Sequence, residues 1–235
     1  MKDVLPHWQK HRRITRQKKA RRYLWSPDYL SSRTLFPALQ HGIQKFNGLV
    51  LDLGCGNQPY QAWFAQHNIQ VIGFDPDLVD SQPQVVGLGQ RLPFADETFA
   101  GVFSAQTLEH VAEPWTMMAE ISRVLKPQGY LVLSAPQAWR VHEAPHDYYR
   151  YTQYGLRYLA EKYGLIVEQV IPTNTVWAVL GQVFLNLIPH NRLFGLTAPL
   201  NLLVNSPLTL MDMVWFEQKE TIDNVLIARK PSGDL

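Results

Sequence analysis

Two stretches of this chain combine residue types that can do chemistry. In the first, Gly54, Cys55 and Gly56 follow the apolar run Val50, Leu51, Asp52 and Leu53 and precede Pro59. Glycine at a sharp turn admits φ values that a side chain opposes, and it lets another molecule approach the backbone. Pro59 has the φ suited to a first helical position. The unit reads as buried strand, glycine turn and helix, which is where open α/β sheets bind ligands, beyond the carboxyl ends of their strands. Asp75 lies 19 residues after Gly56, at the end of the next apolar run. In a nucleotide-binding sheet an acid there accepts hydrogen bonds from ribose hydroxyls. Glycines also mark ordinary turns, and an Asp before Pro76 also caps one. The spacing of the two together favours the ribose role.

The second stretch, over 142–152, reads His-Glu-Ala-Pro-His-Asp-Tyr-Tyr-Arg-Tyr-Thr. His146 is the candidate general base, because imidazole titrates near neutrality. Asp147 is the candidate to orient it or another partner, and Tyr149 to shape a substrate pocket. The competing reading is a structural lid in which Asp147 pairs with Arg150 and the tyrosines pack. His142, Glu143, His146 and Asp147 also permit a metal reading, but with no Cys ligand and no required metal chemistry, no metal is expected. His110 reads as a structural residue at a strand end. Cys55 is the single cysteine. It excludes an internal disulfide and, as a small residue in a tight turn with no adjacent histidine, reads as inert.

The elements that must position these residues follow from periodicity. Ser26 and Pro27 open a helix that runs to about Phe46, with Leu30, Leu35, Leu39, Ile43 and Phe46 inward and Pro37 bending or dividing it. Strands are expected over 69–75, 84–88, 99–105, 130–134, 165–171 and 223–229, besides the first. Met117, Met118, Ile121 and Leu125 make the apolar stripe of a helix opened by Pro114. Thr152 caps another, with Leu156, Leu159, Ala160 and Tyr163 inward. Alternating strand and helix predicts a parallel sheet with right-handed crossovers.

Five motifs in order carry a family resemblance. They are Val-Leu-Asp-Leu-Gly-Cys-Gly at 50–56, Gly-Phe-Asp at 73–75, Arg-Leu-Pro-Phe-Ala-Asp-Glu-Thr-Phe at 91–99, Thr-Leu-Glu-His-Val at 107–111 and Arg-Val-Leu-Lys-Pro-Gln-Gly at 123–129. Over about 48–171 the chain resembles class I S-adenosylmethionine-dependent methyltransferases, and among them the type 11 group. The resemblance implies a Rossmann-like α/β fold. Its seven-stranded sheet has helices on both faces, and its last strand is antiparallel and inserted between the fifth and sixth. It implies S-adenosyl-L-methionine as cofactor, with Gly54, Cys55 and Gly56 at its methionyl part, Asp75 on the ribose, Leu88 and Gly89 along the adenine, and Gln106 by the methionyl end. Two departures stand out. Asn57, Gln58 and Pro59 replace the region of a usual third glycine, where Asn tolerates left-handed φ. Leu88 stands where an acid often meets the adenine amine.

Composition sets the remaining expectations. With 46% hydrophobic and 18% charged residues, 235 residues can bury a sizeable core. The net charge of +2 hides nine Lys/Arg against one Asp over 1–22. That arm, over 1–25, reads as a solvated tail with attraction to phosphates as the alternative. The rest, 26–235, reads as one methyltransferase domain. From 169 to 211 the only charged residue is Arg192. Prolines at 189, 199 and 207 divide this stretch into two or three apolar helices. Gln182, Asn186, Asn201 and Asn205 argue against a membrane span, so 173–216 is expected to form a helical cap before the last strand, touching a lipid surface. The absence of an apolar leader points to the cytoplasm, with peripheral membrane contact. The expected partner is a small-molecule or lipid-linked acceptor of a methyl group. The alternatives are an RNA methyltransferase guided by the arm and a non-catalytic cofactor-binding or membrane-interaction module.

Overall fold

Strands that are apolar on both faces need helices on both sides, and the chain supplies them alternately. A computed structural model describes residues 23–78, 82–188, 194–214 and 219–232. The arm over 1–22, with Pro189 and Arg192, lies outside them. The elements are α1 (Tyr29–Ile43), β1 (Leu49–Leu53), α2 (Gln61–Gln66), β2 (Gln70–Asp75), β3 (Val85–Val86) and β4 (Phe99–Ala105). A 3-10 turn (Leu108–His110), α3 (Pro114–Val124), β5 (Leu125–Pro136), α4 (Gln153–Lys162) and β6 (Ile166–Pro172) follow. The chain then forms α5 (Val176–Asn186), α6 (Phe194–Val214) and β7 (Asp223–Arg229).

The strands make one seven-stranded sheet in the order β3-β2-β1-β4-β5-β7-β6. Neighbours from β3 to β5 are parallel. β7 runs antiparallel between β5 and β6, as the resemblance implied. On one face α3 and α4 bury Met117, Met118, Ile121 and Leu156 against Leu53, Val102 and Leu226. On the other, α1 and α2 bury Leu39, Ile43 and Phe64 against Val50, Phe103 and Val132.

Several boundaries differ from the sequence expectation, and the first helix ends at Ile43, short of Phe46. β3 shrinks to two residues, because only Phe74 and Asp75 of β2 pair with it. β5 begins at Leu125, which pairs with Phe99, and residues 126–129 bulge out before Tyr130 pairs with Gly101. Ser26 does accept a hydrogen bond, from the Asp28 amide at 3.3 Å, but regular helix starts only at Tyr29. Pro37 does not divide α1, whose Leu30, Leu35, Leu39 and Ile43 are buried on both sides of it.

The apolar segment folds as two helices, and α6 continues through Pro199 and Pro207. No helix among the described residues is long and apolar enough to cross a membrane. The polar residues that interrupt it have an internal task. Asn205 Nδ2 donates to the carbonyls of Leu24 (2.6 Å) and Ser26 (2.9 Å), Asn201 Nδ2 to Trp25 (2.9 Å), and Gln182 Nε2 to Pro27 (3.0 Å). Asp212 accepts from the amide and hydroxyl of Thr175, both at 2.7 Å, and pairs with Arg33 of α1. The helix pair is thus pinned to α1 and to the strand of chain that enters it. Asn205 is fully buried. Asn205→Ala should therefore cost about 1–3 kcal/mol, the penalty for buried carbonyls left without donors, read as a lowered urea midpoint at unchanged slope.

Candidate active site

β1 and β4 end side by side, and their end loops touch. Ser104 Oγ donates to the Leu53 carbonyl at 2.9 Å across the two strands. Gly54, at φ +80°, lies so close to Thr107 that a Cβ would collide with it. Gly56, at φ +51°, has nothing within 4 Å of where a Cβ would stand, so space opens above this turn. Asp75 closes the loop from the neighbouring strand end. Its Oδ2 accepts from the Gly56 amide at 2.9 Å, and its Oδ1 from the Asp77 amide at 2.9 Å. The left-handed residue of the region without a third glycine is Gln58 (φ 53°), not Asn57. Gln58 Nε2 donates to the Gln82 carbonyl at 2.6 Å. Asn57 Oδ1 is buried without a hydrogen-bond donor among the described residues.

Beyond β4, the 3-10 turn places Glu109 and His110 beneath the loop that leaves β5. One backbone and one side-chain hydrogen bond join the two: the Tyr148 amide donates to the Glu109 carbonyl at 2.8 Å, and the Tyr149 hydroxyl to the Ala112 carbonyl at 3.0 Å. Glu109 is 0% exposed, and neither of its carboxylate oxygens accepts a hydrogen bond from another described residue. Burial pushes its pKa up to about 8, against the opposing pull of its own backbone amide. His110 Nε2 and His142 Nε2 stand 3.7 and 3.9 Å from Glu109 Oε1, and their rings meet edge to face at 4.7 Å. Burial, reinforced by His110, holds His142 below the ordinary imidazole value, so it is neutral at pH 7.

The residues singled out from the sequence separate into two groups. Gly54, Cys55, Gly56 and Asp75 share one loop, and Gln106 is adjacent, its Nε2 donating to Ser134 Oγ at 3.2 Å. Gly89 backs onto Met117, while Leu88 is 56% exposed. Asp147 does not meet His146. It pairs with Arg150 through both oxygens (2.6 and 2.8 Å) and accepts from the His142 amide at 2.8 Å. Burial would raise its pKa, but Arg150 and the His142 amide bring it down to about 2, so it is ionised. His146 instead has Nδ1 2.8 Å from the Tyr148 hydroxyl. The lid arrangement, with Asp147 on Arg150 and Tyr149 packed near Tyr151, is the one present.

Sequence reasoning missed Glu109 and undervalued His110, which belongs to this cluster and not merely to a strand end. Both stand in the Thr-Leu-Glu-His-Val motif, but helical or strand periodicity gives no signal for a three-residue turn. Asp52 was also missed as a titrating group. It is buried in β1, and burial, then the charge of Asp75, raise its pKa to about 7.

Comparison with known proteins fits this geometry. Residues 51–133 match the family model described as a methyltransferase domain. An uncharacterized methyltransferase of Mycobacterium leprae (strain TN) is 34% identical over 105 residues, 40% of this chain and 39% of that protein. One of Mycobacterium avium (strain 104) is 33% identical over 105 residues, 40% of this chain and 42% of that protein. The chain therefore spans about two fifths of the length of these curated relatives. Among solved structures, the cyclase SpnF superposes with a TM-score of 0.62 at 19% identity, covering 92% of this chain and 86% of that one. A methyltransferase-like protein of Bacillus halodurans C-125 gives 0.55 at 19% identity, covering 85% and 100%. Phosphoethanolamine N-methyltransferase 2 of Haemonchus contortus, in complex with S-adenosyl-L-methionine, gives 0.52 at 18%, covering 82% and 52%. The stretch over 51–133 is similar to that methyltransferase domain, and the described residues share the Rossmann-like fold of these solved structures.

The raised pKa of Asp52 sets a pH dependence. The unfolded chain loses this proton near its ordinary 3.8, while the folded chain keeps it to about 7. Stability should therefore fall as pH rises through that window, by on the order of 4 kcal/mol at most. In cofactor-free protein, Asp52→Asn should shrink that fall to the part that Glu109, also raised, contributes over the same window, read as a smaller separation of the urea midpoints at about pH 4 and about pH 7.

Proposed function

We propose that this chain transfers a methyl group from S-adenosylmethionine to an oxygen-bearing small-molecule or lipid-linked acceptor. The observation that carries this reading is the convergence, at one sheet edge, of the glycine loop with Asp75 and the cluster of Glu109, His110 and His142. The loop fits the donor in two ways: space opens above Gly56, and Asn57 Oδ1 is a buried acceptor lacking a donor among the described residues. In this reading Asp75 holds the ribose hydroxyls, and the backbone of Gly54, Cys55 and Gly56 faces the methionyl part. Leu88 and Gly89 flank the adenine, and Gln106 stands at the methionyl end. S-adenosylmethionine, when bound, supplies an electrophilic methyl group on a sulfonium.

What the protein must then do is hold the acceptor in line and exclude water. The loop over 142–151 serves both needs, because its bonds to the 3-10 turn fix it over the ends of β4 and β5. An oxygen acceptor also has to lose a proton. We assign that proton to His146, whose Nδ1 lies 2.8 Å from the Tyr148 hydroxyl; in the tautomer with Nδ1–H donating to that oxygen, Nε2 is the nitrogen that takes it. Tyr149 helps to shape the acceptor's entry, and Asp147 acts at one remove, by fixing His142.

The apolar helices support a lipid-linked acceptor and peripheral membrane contact. Leu180, Val183, Phe184, Leu187, Leu203 and Met213 are each at least 49% exposed. The chain that leads in from the nine cations of the arm is clamped to these helices by Asn201 and Asn205. A basic segment in the sequence together with an exposed apolar surface suits an anionic lipid surface.

Two measurements test the reading. Calorimetric titration should show S-adenosylhomocysteine binding, weakened about 10–100-fold in Asp75→Asn, the equivalent of one or two hydrogen bonds to a charged group; a wild-type protein that does not bind it would overturn the proposal. Anionic phospholipid vesicles should float the wild type but not the Leu187→Glu, Leu203→Glu variant. Equal flotation of both, or binding to RNA that falls steeply with salt in place of vesicle binding, would remove the lipid reading.

A further inference from the structure

We propose that Glu109, His110 and His142 bind one divalent first-row transition-metal ion, with Glu143 on its solvent side. The ligand atoms of the first three all lie within 4.8 Å of one another. His110 Nε2 is 3.7 Å from Glu109 Oε1 and 3.8 Å from Glu143 Oε2, and His142 Nε2 is 3.9 Å from Glu109 Oε1. These separations are too long for hydrogen bonds. Ligands held about 2.0–2.2 Å from a common ion lie about 3–3.5 Å from one another, so each His–Glu109 pair would close by about half an ångström, and a pair at the 4.8 Å limit by more than an ångström.

Both rings are turned for this. His110 Nδ1 lies 2.6 Å from the His146 carbonyl, which can only accept, so Nδ1 holds the proton and Nε2 presents its lone pair. His142 Nδ1 faces Asp147 Oδ2 at 3.2 Å and the Arg140 carbonyl at 3.3 Å, again two acceptors, so its Nε2 is also a lone pair. A metal-binding imidazole is oriented in the same way, by a carbonyl or carboxylate on its far nitrogen. Asp147 is in turn fixed by Arg150.

Glu109 supplies an independent sign. Its carboxylate is 0% exposed, and neither oxygen accepts a hydrogen bond from another described residue. Such a group needs a compensating partner. The two nitrogens facing it present lone pairs as well, so an ion placed among the three groups would meet three donors of electron pairs. A proton shared between Glu109 and either ring would draw the pair to about 2.6–3.2 Å, closer than the spacing found.

Two imidazoles with carboxylate suit zinc, manganese, iron(II) or cobalt. Magnesium and calcium prefer all-oxygen sites, and copper(I) prefers thiolate or thioether. This departs from the expectation of no metal. The sequence set His142 beside His146, whereas folding sets it beside Glu109 and His110. The use of the ion rests on the methyl-transfer reading. An acceptor hydroxyl bound to it would become a stronger acid and would give its proton to His146, the base assigned above. The oxygen lone pair would then form the new C–O bond while the C–S bond breaks and its electron pair stays on sulfur.

Binding can be tested apart from that use. Full-length protein stripped by chelator is titrated with Co(II), following visible absorption, with bound metal counted by mass spectrometry after desalting. Wild type should take up one equivalent with ligand-field bands. Glu109→Gln and His142→Asn should each weaken uptake by about a hundredfold or more while still binding S-adenosylhomocysteine, which shows that they fold. Equal uptake by wild type and both variants, or no uptake by wild type that binds S-adenosylhomocysteine, would overturn the site. Co(II) uptake by wild type that does not bind S-adenosylhomocysteine would support the site and overturn the methyl-transfer reading alone.

Discussion

Backbone pairing of β1 with β4, and of β4 with β5, runs through side chains covered on both sheet faces. A polar side chain within those strands must find an internal partner or give up its charge. Ser104 does the first, through the Leu53 carbonyl, and Asp52 moves toward the second. Polar groups outside such pairing are therefore displaced to the carboxyl ends of the strands. Gly54, Asp75, Gln106 and the turn at Glu109 all stand there. The close contact of Gly54 with Thr107 ties the ends of β1 and β4 together, so the two halves of the site keep one relative position.

Around that edge the loop leaving β5 is not a free flap. Its backbone amides at Tyr148 and Tyr151 donate to Glu109 and Pro136, and Arg150 reaches the Trp139 and Arg140 carbonyls as well as Asp147. The loop is ordered from within by one ion pair and from below by the 3-10 turn. Tyr151 is buried there, and burial raises its phenol pKa far above the usual range. The arrangement turns two imidazoles toward a carboxylate that water does not reach. A buried carboxyl group that accepts no hydrogen bond from another described residue is costly, so its presence at the strand ends points to a use.

The helices α5 and α6 show how composition can mislead about purpose. A stretch with one charge in over forty residues suggests hydrocarbon, yet its amides face inward and hold the carbonyls of 24–27. Their apolar faces divide: Leu185 and Ala178 pack with Leu30 and Ile222, while Leu187 and Leu203 face outward. The pair meets α1 and, through the bond from Arg140 to the Asn186 carbonyl, the base of the loop after β5.

The sheet, the glycine loop and the position of Asp75 at a strand end were legible along the chain. Those features are local: a strand's two apolar faces, a turn that needs φ > 0 and an acid at a strand end are written in consecutive residues. Even the antiparallel last strand was legible, over the same residues 223–229, through its resemblance to a known family. Element ends shifted where pairing with a neighbour decided them, as at Leu125 and at Val85–Val86. The partners of His142 and Asp147 were not legible. Glu109 lies 33 positions before His142, on a turn too short to have a period, and only the adjacency of β4 and β5 brings them together. Tertiary structure alone decided that Asp147 serves His142 and not its neighbour His146. Side-chain direction on an irregular loop is set by what packs beneath it, and no pattern along the chain records that.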